Sequence, residues 1–302
     1  MIVRLAAACA ALVLAAAGCG GDDEPTAAET STPSAEPAQT PAGSVSGANA
    51  FIGSIAVDPG DGTVMLGTGL GLFRKEPGAT GAPRVVGELD GGQVSSNLVI
   101  RYAGPGDLIG SGHPEGGGSL PENLGLMRSG DAGDTWTTVS ELGESDYHIL
   151  QAAGDRVVGV KAEEKTIRVS GDGGKTFTDR TPPDTPLDVA FDPGDPKRMV
   201  LATGQGVFTS GDEGASWRER DAVPSEHVAW GAPDALHRAD PGGEIKVSAD
   251  GGQTWKTAGT VGTTVNELAV DADGALYASV AGGVVQRSTD GGATWSEFVT
   301  LD

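Results

Sequence analysis

The sequence predicts an all-β protein, a six-bladed β-propeller built from four-stranded blades. Glycine makes up 49 of the 302 residues, over twice its usual share of about 7%, and glycine favours turns over helix interiors. One octapeptide pattern, Ser-x-Asp-x-Gly-x-Thr/Ser-Trp/Phe, recurs five times with first serines 41, 40, 38 and 40 residues apart. A period of about 40 residues with four short strands is typical of a propeller blade, since one small sheet must stack on neighbours to bury both faces.

The first 18 residues have the features of an export signal. Arg4 is followed by a 14-residue apolar run, which is too short to span a bilayer. The run ends in Leu-Ala-Ala-Ala-Gly-Cys19, which resembles a bacterial lipobox, with Ala16 where Leu is usual. This resemblance implies that residues 1–18 are a lipoprotein signal peptide and that Cys19 carries lipid. We therefore expect a lipid anchor in the cell membrane, on the extracytoplasmic face of a bacterium.

Residues 19–47 are expected to be a disordered tether between this anchor and the propeller. The stretch from 20 to 50 has four prolines, no aromatic residue and one branched aliphatic residue, Val45. Such a composition buries too little apolar area to offset the entropy of ordering. The remaining residues, 48–302, form the predicted propeller. The net charge of −22 excludes nucleic acid as a partner, because phosphates would be repelled, and we expect a monomer without a cofactor.

The blades follow one another along the chain. Each octapeptide comes after a short apolar run, as expected for a turn between the third and fourth strands. A degenerate copy opens the domain with strands predicted at Phe51–Val57, Val64–Leu66 and Gly71–Arg74, and Lys75–Gly78 stands in place of the octapeptide. The interval from this copy to the next octapeptide is longer than one period because of an insertion at Gly112–Asn123. Six periods and this insertion account for residues 48–302, so we expect six blades, with seven as the alternative.

The octapeptides resemble the Asp-box (BNR) motif of sialidases, sortilin-type receptors, some glycoside hydrolases and photosystem II assembly-factor propellers. Their aspartates can accept hydrogen bonds from backbone N–H groups of their own turns. We therefore expect the five to be structural, and neither catalytic residues nor calcium ligands. They are Asp131, Asp172, Asp212, Asp250 and Asp290.

The insertion places the candidate site at one end of the propeller. If the octapeptides join third to fourth strands, the insertion and the blade-to-blade loops lie at the opposite end, where the mouth of the central channel can bind a ligand. The residues expected at this contact face are Arg101, His113, Tyr147, His148, Glu226 and His227. Two histidines without an identified carboxylate ligand do not predict a metal site.

A closer resemblance covers the insertion and the segment after it. Its Gly-His-Pro loop, Leu-Gly-Leu-Met-Arg-Ser strand and Asp-Tyr-His segment are similar to exported bacterial Asp-box propellers labelled glycosyl hydrolase or exo-α-sialidase, and imply site roles for His113 and His148. The sequence lacks the Arg-Ile-Pro segment and a recognisable Tyr–Glu pair of sialidases. We therefore expect a non-catalytic binding or scaffold module for a protein or glycan. The alternatives are a sialidase-like glycoside hydrolase and an assembly or stability factor for a membrane complex.

Overall fold

The computed structural model describes residues 51–116, 118–161 and 165–301, except the side chain of Ser95. The described residues form 25 β-strands in six antiparallel sheets and no helix. Accordingly, no described residue belongs to a helix of the length and apolarity that crossing a membrane requires. The predicted signal peptide, Cys19 and the tether lie outside the described residues.

Six consecutive sheets make the blades of a six-bladed propeller, which confirms the predicted fold. Blade 1 holds β1 (Ile52–Val57), β2 (Val64–Thr68), β3 (Gly71–Lys75) and β4 (Arg84–Val85). Blade 2 holds β5 (Gly87–Leu89), β6 (Gly92–Gly104), β7 (Asp107–Pro114), β8 (Leu126–Ser129) and β9 (Thr137–Ser140). Blade 3 holds β10 (Tyr147–Ala153), β11 (Arg156–Lys161), β12 (Ile167–Ser170) and β13 (Thr178–Arg180).

The last three blades repeat the same four-stranded order. Blade 4 holds β14 (Pro186–Asp192), β15 (Asp195–Thr203), β16 (Gly206–Ser210) and β17 (Arg218–Asp221). Blade 5 holds β18 (His227–Ala232), β19 (Ala235–Ala239), β20 (Glu244–Ser248) and β21 (Lys256–Thr260). Blade 6 holds β22 (Glu267–Val270), β23 (Leu276–Val280), β24 (Val284–Ser288) and β25 (Ser296–Thr300).

The innermost strand of each blade contacts the innermost strand of the next, and together they enclose a central channel. These strands are β1, β6, β10, β14, β18 and β22. The ring closes where β1 packs against β22 and β23, with the Ser279 hydroxyl donating to the carbonyl of Ile52 at 2.8 Å. Every described blade is built from consecutive strands, so packing between the first and last blades closes the propeller.

The second strands are the most buried, and burial falls to its lowest value in the outermost strands. All five residues of β2 and of β23 are buried, because second strands lie between the stacked faces of neighbouring blades. The outermost strands β13 and β17 have no buried residue and carry charged side chains. The apolar core is therefore divided among the interfaces between blades, as the repeat pattern predicts.

Two blades depart from the regular pattern. In blade 1 the fourth strand is only two residues long, because no Asp-containing turn precedes it. In blade 2 the additional strand β5 pairs with the first residues of β6. The first residues of the predicted insertion, Gly112–Pro114, extend β7, and the rest of it connects β7 to β8.

The five octapeptides, here called the box turns, join the third and fourth strands of blades 2 to 6, as predicted. The box turns and the first-to-second connections therefore share one end of the propeller, which we call the box face. The second-to-third connections and the blade-to-blade connections lie at the other end, the opposite face. Both the insertion and the entry of the chain into β1 belong to the opposite face.

Candidate functional site

Each box turn satisfies its aspartate from within its own eight residues. In the last turn, Asp290 accepts hydrogen bonds from the Ser288 hydroxyl (2.8 Å), the Thr294 backbone N–H (2.9 Å) and the Thr294 hydroxyl (2.6 Å). The Gly292 N–H donates to the Ser288 hydroxyl oxygen at 2.9 Å. The same bonds recur around Asp131, Asp172, Asp212 and Asp250.

These local bonds stabilise the charged form of the box aspartates. Hydroxyl and backbone donors lower the pKa of Asp212, Asp250 and Asp290 to about 2 and hold the pKa of Asp172 below its usual range. The box glycine also packs on the preceding blade, since a Cβ on Gly174 would overlap Leu126. Hydrogen bonds within each turn, together with packing of the box glycine, therefore explain the box turns as structural elements.

A cavity of about 570 Å³ opens on the opposite face among blades 1, 2 and 3. We call it the opposite-face cavity. Its size falls within the range of small-ligand sites. The side chains that give it chemical character are Phe51, Thr68, Asn97, His113, Asp146 and His148. It therefore contains two of the six predicted contact residues, His113 and His148.

Asp146 joins these two histidines. Its Oδ2 lies 2.9 Å from Nε2 of His148 and 3.4 Å from Nε2 of His113. The other ring nitrogen of His113, Nδ1, lies 2.8 Å from the carbonyl oxygen of Glu122 in the insertion. Burial opposes ionisation of Asp146, but the hydrogen bond from His148 and the charges of both imidazoles lower its pKa. The hydrogen bond to Asp146 in turn raises the pKa of His148.

A bulge in β6 shapes the cavity wall. The register of β6 shifts between Ser96 and Val99, and Asn97 there has a left-handed φ of 49°. A Cβ on Gly67 would overlap the Leu98 carbonyl, and one on Gly112 would lie 2.6 Å from the Asn97 carbonyl oxygen. These two glycines let the bulge approach its neighbours closely, and the bulge brings Asn97 to the cavity.

Phe51 supplies an exposed aromatic ring to the same cavity. It precedes β1 and is 62% exposed, the highest exposure of any large apolar side chain in the described residues. An aromatic ring left in solvent beside polar groups is characteristic of recognition surfaces. The sequence pattern placed Phe51 in the first strand, whereas the structure begins that strand at Ile52. The exposure of the Phe51 ring, which the pattern did not predict, suggests its role in binding.

Two predicted contact residues lie elsewhere. Tyr147 is fully buried, and its hydroxyl donates to Oε2 of Glu141 at 2.8 Å, so it is inaccessible to a ligand. The tyrosine takes the inward position of its strand, whereas the flanking Asp146 and His148 point to the cavity. Glu226 is half-buried in the connection before β18 and does not line the opposite-face cavity.

Arg101 and His227, the remaining two candidates, meet in a buried cluster at the axis. Arg101 donates to Oε1 of Glu267 and to the Ser54 hydroxyl, at 2.8 Å in the second case. His227 Nδ1 lies 3.9 Å from Oδ2 of Asp188 and 4.0 Å from Oε2 of Glu267. We call Arg101, Asp188, His227 and Glu267 the axial cluster. It links the innermost strands of blades 2, 4, 5 and 6.

Burial dominates the electrostatics of the axial cluster. It raises the pKa of Glu267 to about 7, an effect that Arg101 opposes and the nearby charge of Asp188 reinforces. Burial also raises the pKa of Asp188, against the effects of His227 and Arg101. The two carboxylates are 3% and 6% exposed. Arg101 and the hydrogen bonds around Asp188 compensate the cost of burying these charges.

A second cavity, of about 310 Å³, occupies the channel on the box-face side. The innermost strands of all six blades line it, mostly with small or apolar side chains, and Arg101 borders it. Neither Asp188 nor Glu267 lines this channel or the opposite-face cavity. Within the described ranges, no group of three or more His, Cys, Asp or Glu residues is arranged to hold a metal ion.

Four of the residues that define these sites are not among the six contact residues that the sequence predicted. They are Phe51, Asp146, Asp188 and Glu267. For Asp188 and Glu267, the sequence offers one signal of a buried charged site, which is an acidic residue within the first strand of a blade. This signal does not identify partners, because those come from other blades.

Comparison with known proteins establishes the fold. No protein-family model matches the chain, and no curated protein matches it significantly by sequence. YCF48 from Cyanidioschyzon merolae is similar in structure, with 13% identity, a TM-score of 0.50, and coverage of 83% of this chain and 85% of that one. The WD40 β-propeller domain of Doa1 is 12% identical, with a TM-score of 0.56 and coverage of 84% and 83%.

A glycoside hydrolase is also among the similar structures. The GH74 xyloglucanase from Xanthomonas campestris is 16% identical, with a TM-score of 0.52, and the match covers 84% of this chain and 46% of the enzyme. The chain thus spans less than half the length of that enzyme. At these identities the likeness is one of fold alone, and one fold can serve unrelated functions.

Proposed function

We propose that this protein is a non-catalytic binding module that takes a protein or glycan ligand in the opposite-face cavity. The observation that carries the proposal is the meeting of Phe51, His113, Asp146 and His148 in one preformed cavity. An exposed ring supplies contact area, and the polar side chains supply hydrogen bonds that fix a ligand's orientation. The rigid strands that hold these residues keep the cost of ordering the site low.

The arrangement of carboxylates favours binding over hydrolysis. Glycoside hydrolysis generally requires two carboxyl groups on either side of the bond that is cleaved. Among the described residues, Asp146 is the one carboxylate that borders the opposite-face cavity. Asp188 and Glu267 both approach His227, but they are almost fully buried and border neither cavity. The enzymes found by comparison belong to GH74, which gives no support to the sialidase-like alternative.

Two assays on the full chain distinguish a binding module from a glycoside hydrolase. Screening against peptide and glycan arrays is expected to yield a ligand whose binding is weakened by Phe51→Ala. Leu187→Ala is the matched control, because Leu187 is exposed on the same face but does not line the cavity. Incubation with fluorogenic glycosides is expected to give no turnover. Turnover abolished by a single carboxylate substitution would overturn the proposal.

We also propose that the module is lipid-anchored through Cys19 on the extracytoplasmic face of the cell membrane. Support comes from the leader and the lipobox-like segment, together with the absence of a long basic segment that would hold an acidic protein at a membrane. The chain enters β1 after Phe51, which borders the cavity.

The anchor is tested by Cys19→Ser. Fractionation and metabolic labelling with a palmitate analogue are expected to show acylated wild-type protein in the membrane fraction and an unacylated variant that is lost from it. A variant that stays acylated and membrane-bound would contradict the assignment of Cys19.

A further inference from the structure

We propose that the opposite-face cavity binds an organic cation, of the kind carried by lysine and arginine side chains of a polypeptide. This inference rests on the proposed binding function and names the chemical class of its ligand. Asp146 contributes a carboxylate and Phe51 an exposed aromatic face to the cavity. An aromatic face and a carboxylate together are a favourable environment for an ammonium or guanidinium group.

The charges around the cavity support a cation over an anion. Its lining, as far as the described residues go, includes one carboxylate and two histidines but no lysine or arginine, so these residues offer no permanently positive group to an anionic ligand. Asn97 adds an amide oxygen that can accept a hydrogen bond from a cation. The net charge of the whole chain, −22, attracts cations over a longer range.

His148 makes the cavity's charge depend on pH. The titratable groups that face Asp146 among the described residues are His113, from β7, and His148, from β10. A protonated imidazole neutralises Asp146 and competes with a bound cation. Loss of that proton leaves the carboxylate charge available to the ligand. Binding of a cation is therefore coupled to release of a proton, and affinity rises with pH.

This dependence distinguishes three ligand classes. A cation binds more tightly as His148 loses its proton, an anion binds less tightly, and a neutral sugar responds weakly. His148, with a 61% exposed side chain, can be replaced without opening the core. His148→Gln removes this competing charge and is expected to flatten the rise in affinity between pH 6 and pH 8.5.

The test is isothermal titration calorimetry on the full chain with three acetylated, amidated pentapeptides, Gly-Ala-Xaa-Ala-Gly, in which Xaa is lysine, arginine or norleucine. Tetramethylammonium and cellotetraose represent a small cation and a neutral sugar. We expect the lysine or arginine peptide to bind about tenfold more tightly than the norleucine peptide. Stronger binding of tetramethylammonium than of either peptide would show that the site prefers a small-molecule cation. It would contradict the proposal that the cation belongs to a polypeptide.

Two variants locate the binding. Asp146→Asn is expected to weaken cation binding about tenfold, and Phe51→Ala about two- to fivefold. Asp184→Asn and Leu187→Ala, both on the opposite face and outside the cavity lining, are the matched controls and should leave affinity unchanged. Circular dichroism verifies that each variant remains folded.

The outcomes separate this inference from the function on which it rests. Equal affinity for the lysine and norleucine peptides, or an affinity that falls as pH rises, would contradict the proposal that the cavity binds a cation. If cellotetraose binds independently of pH and Phe51→Ala weakens that binding, the binding module stands and its ligand is a neutral sugar. If no probe binds and the arrays also yield no ligand sensitive to Phe51→Ala, both proposals fail.

Discussion

The carboxylates at the perimeter of this propeller and those near its axis contrast in where their partners come from. Asp290, in a box turn, is satisfied by residues two and four positions away. Glu267, at the axis, is paired with Arg101 from another blade. Local hydrogen bonds lower the pKa of Asp290 to about 2, whereas burial raises that of Glu267 to about 7. The same functional group therefore stabilises a turn at one place and is held in an energetically costly environment at the other.

The contrast teaches how to separate structural from functional acids in a repeat protein. A carboxylate satisfied within its own turn has most of its acceptor sites already occupied, and repetition of the turn explains its presence. Asp146 differs from both groups because it borders a cavity and is shared by histidines from two blades. Three predictions test whether the box turns determine folding while a buried axial carboxylate determines how stability depends on pH.

The largest effect is expected from the box glycine of blade 3. Gly174 has a φ of 85°, and a Cβ there would overlap Leu126 of blade 2. Gly174→Ala should lower the free energy of unfolding by about 2 to 5 kcal/mol through backbone strain and overpacking. Gly171→Ala in the same turn is the control, because nothing lies within 4 Å of its Cβ position. Urea unfolding that fails to distinguish the two variants would contradict the packing role.

A smaller loss of stability is expected from the box serine. The buried Ser248 hydroxyl accepts from the Gly252 N–H at 2.8 Å and donates to Asp250 at 2.7 Å. Ser248→Ala leaves a buried N–H without its acceptor and should cost about 1 to 3 kcal/mol. Ser296→Ala, at an exposed position of β25, should be nearly neutral. Thermal unfolding of both variants measures the difference, and equal melting temperatures would argue against the serine's structural role.

The sequence predicts features that depend on contacts within one repeat better than features that depend on contacts between blades. The box turns, the blade number and the face that carries the insertion were predictable, because each depends on residues within one period. The pairing of Arg101 with Glu267 was not, because these residues are 166 positions apart and meet only when the ring closes. Burial of Tyr147 and exposure of His148 depend on the register of β10, which a seven-residue strand of mixed character does not fix in advance.

The third expected effect is a change in how stability depends on pH. The raised pKa of Glu267 means that its ionisation destabilises the fold. This penalty is absent below its unfolded value of about 4.5 and grows as pH rises through 7. The lowered pKa of Asp290 has the opposite sign, so its contribution is present above about pH 4 and is lost as pH falls towards 2.

Two substitutions isolate these opposite contributions. Glu267→Gln keeps an amide oxygen for Arg101 and cannot ionise, so its stability relative to wild type should increase from pH 5 to pH 8. Asp290→Asn should instead flatten the loss of stability between pH 4 and pH 2. Glu219→Gln, at an exposed position of β17, is the control. Urea unfolding across pH 3 to 8 measures all three, and a Glu267→Gln curve parallel to wild type would contradict the effect of burial.

The central claim, that the cavity carboxylate binds a ligand while the box carboxylates hold the fold, is tested most directly by comparing Asp146→Asn with Asp250→Asn. The measurement is the affinity for the lysine pentapeptide together with the melting temperature of each variant. Asp146→Asn should weaken binding about tenfold with little change in melting temperature, and Asp250→Asn should lower the melting temperature with unchanged affinity. Loss of binding in Asp250→Asn, with wild-type affinity in Asp146→Asn, would contradict the account.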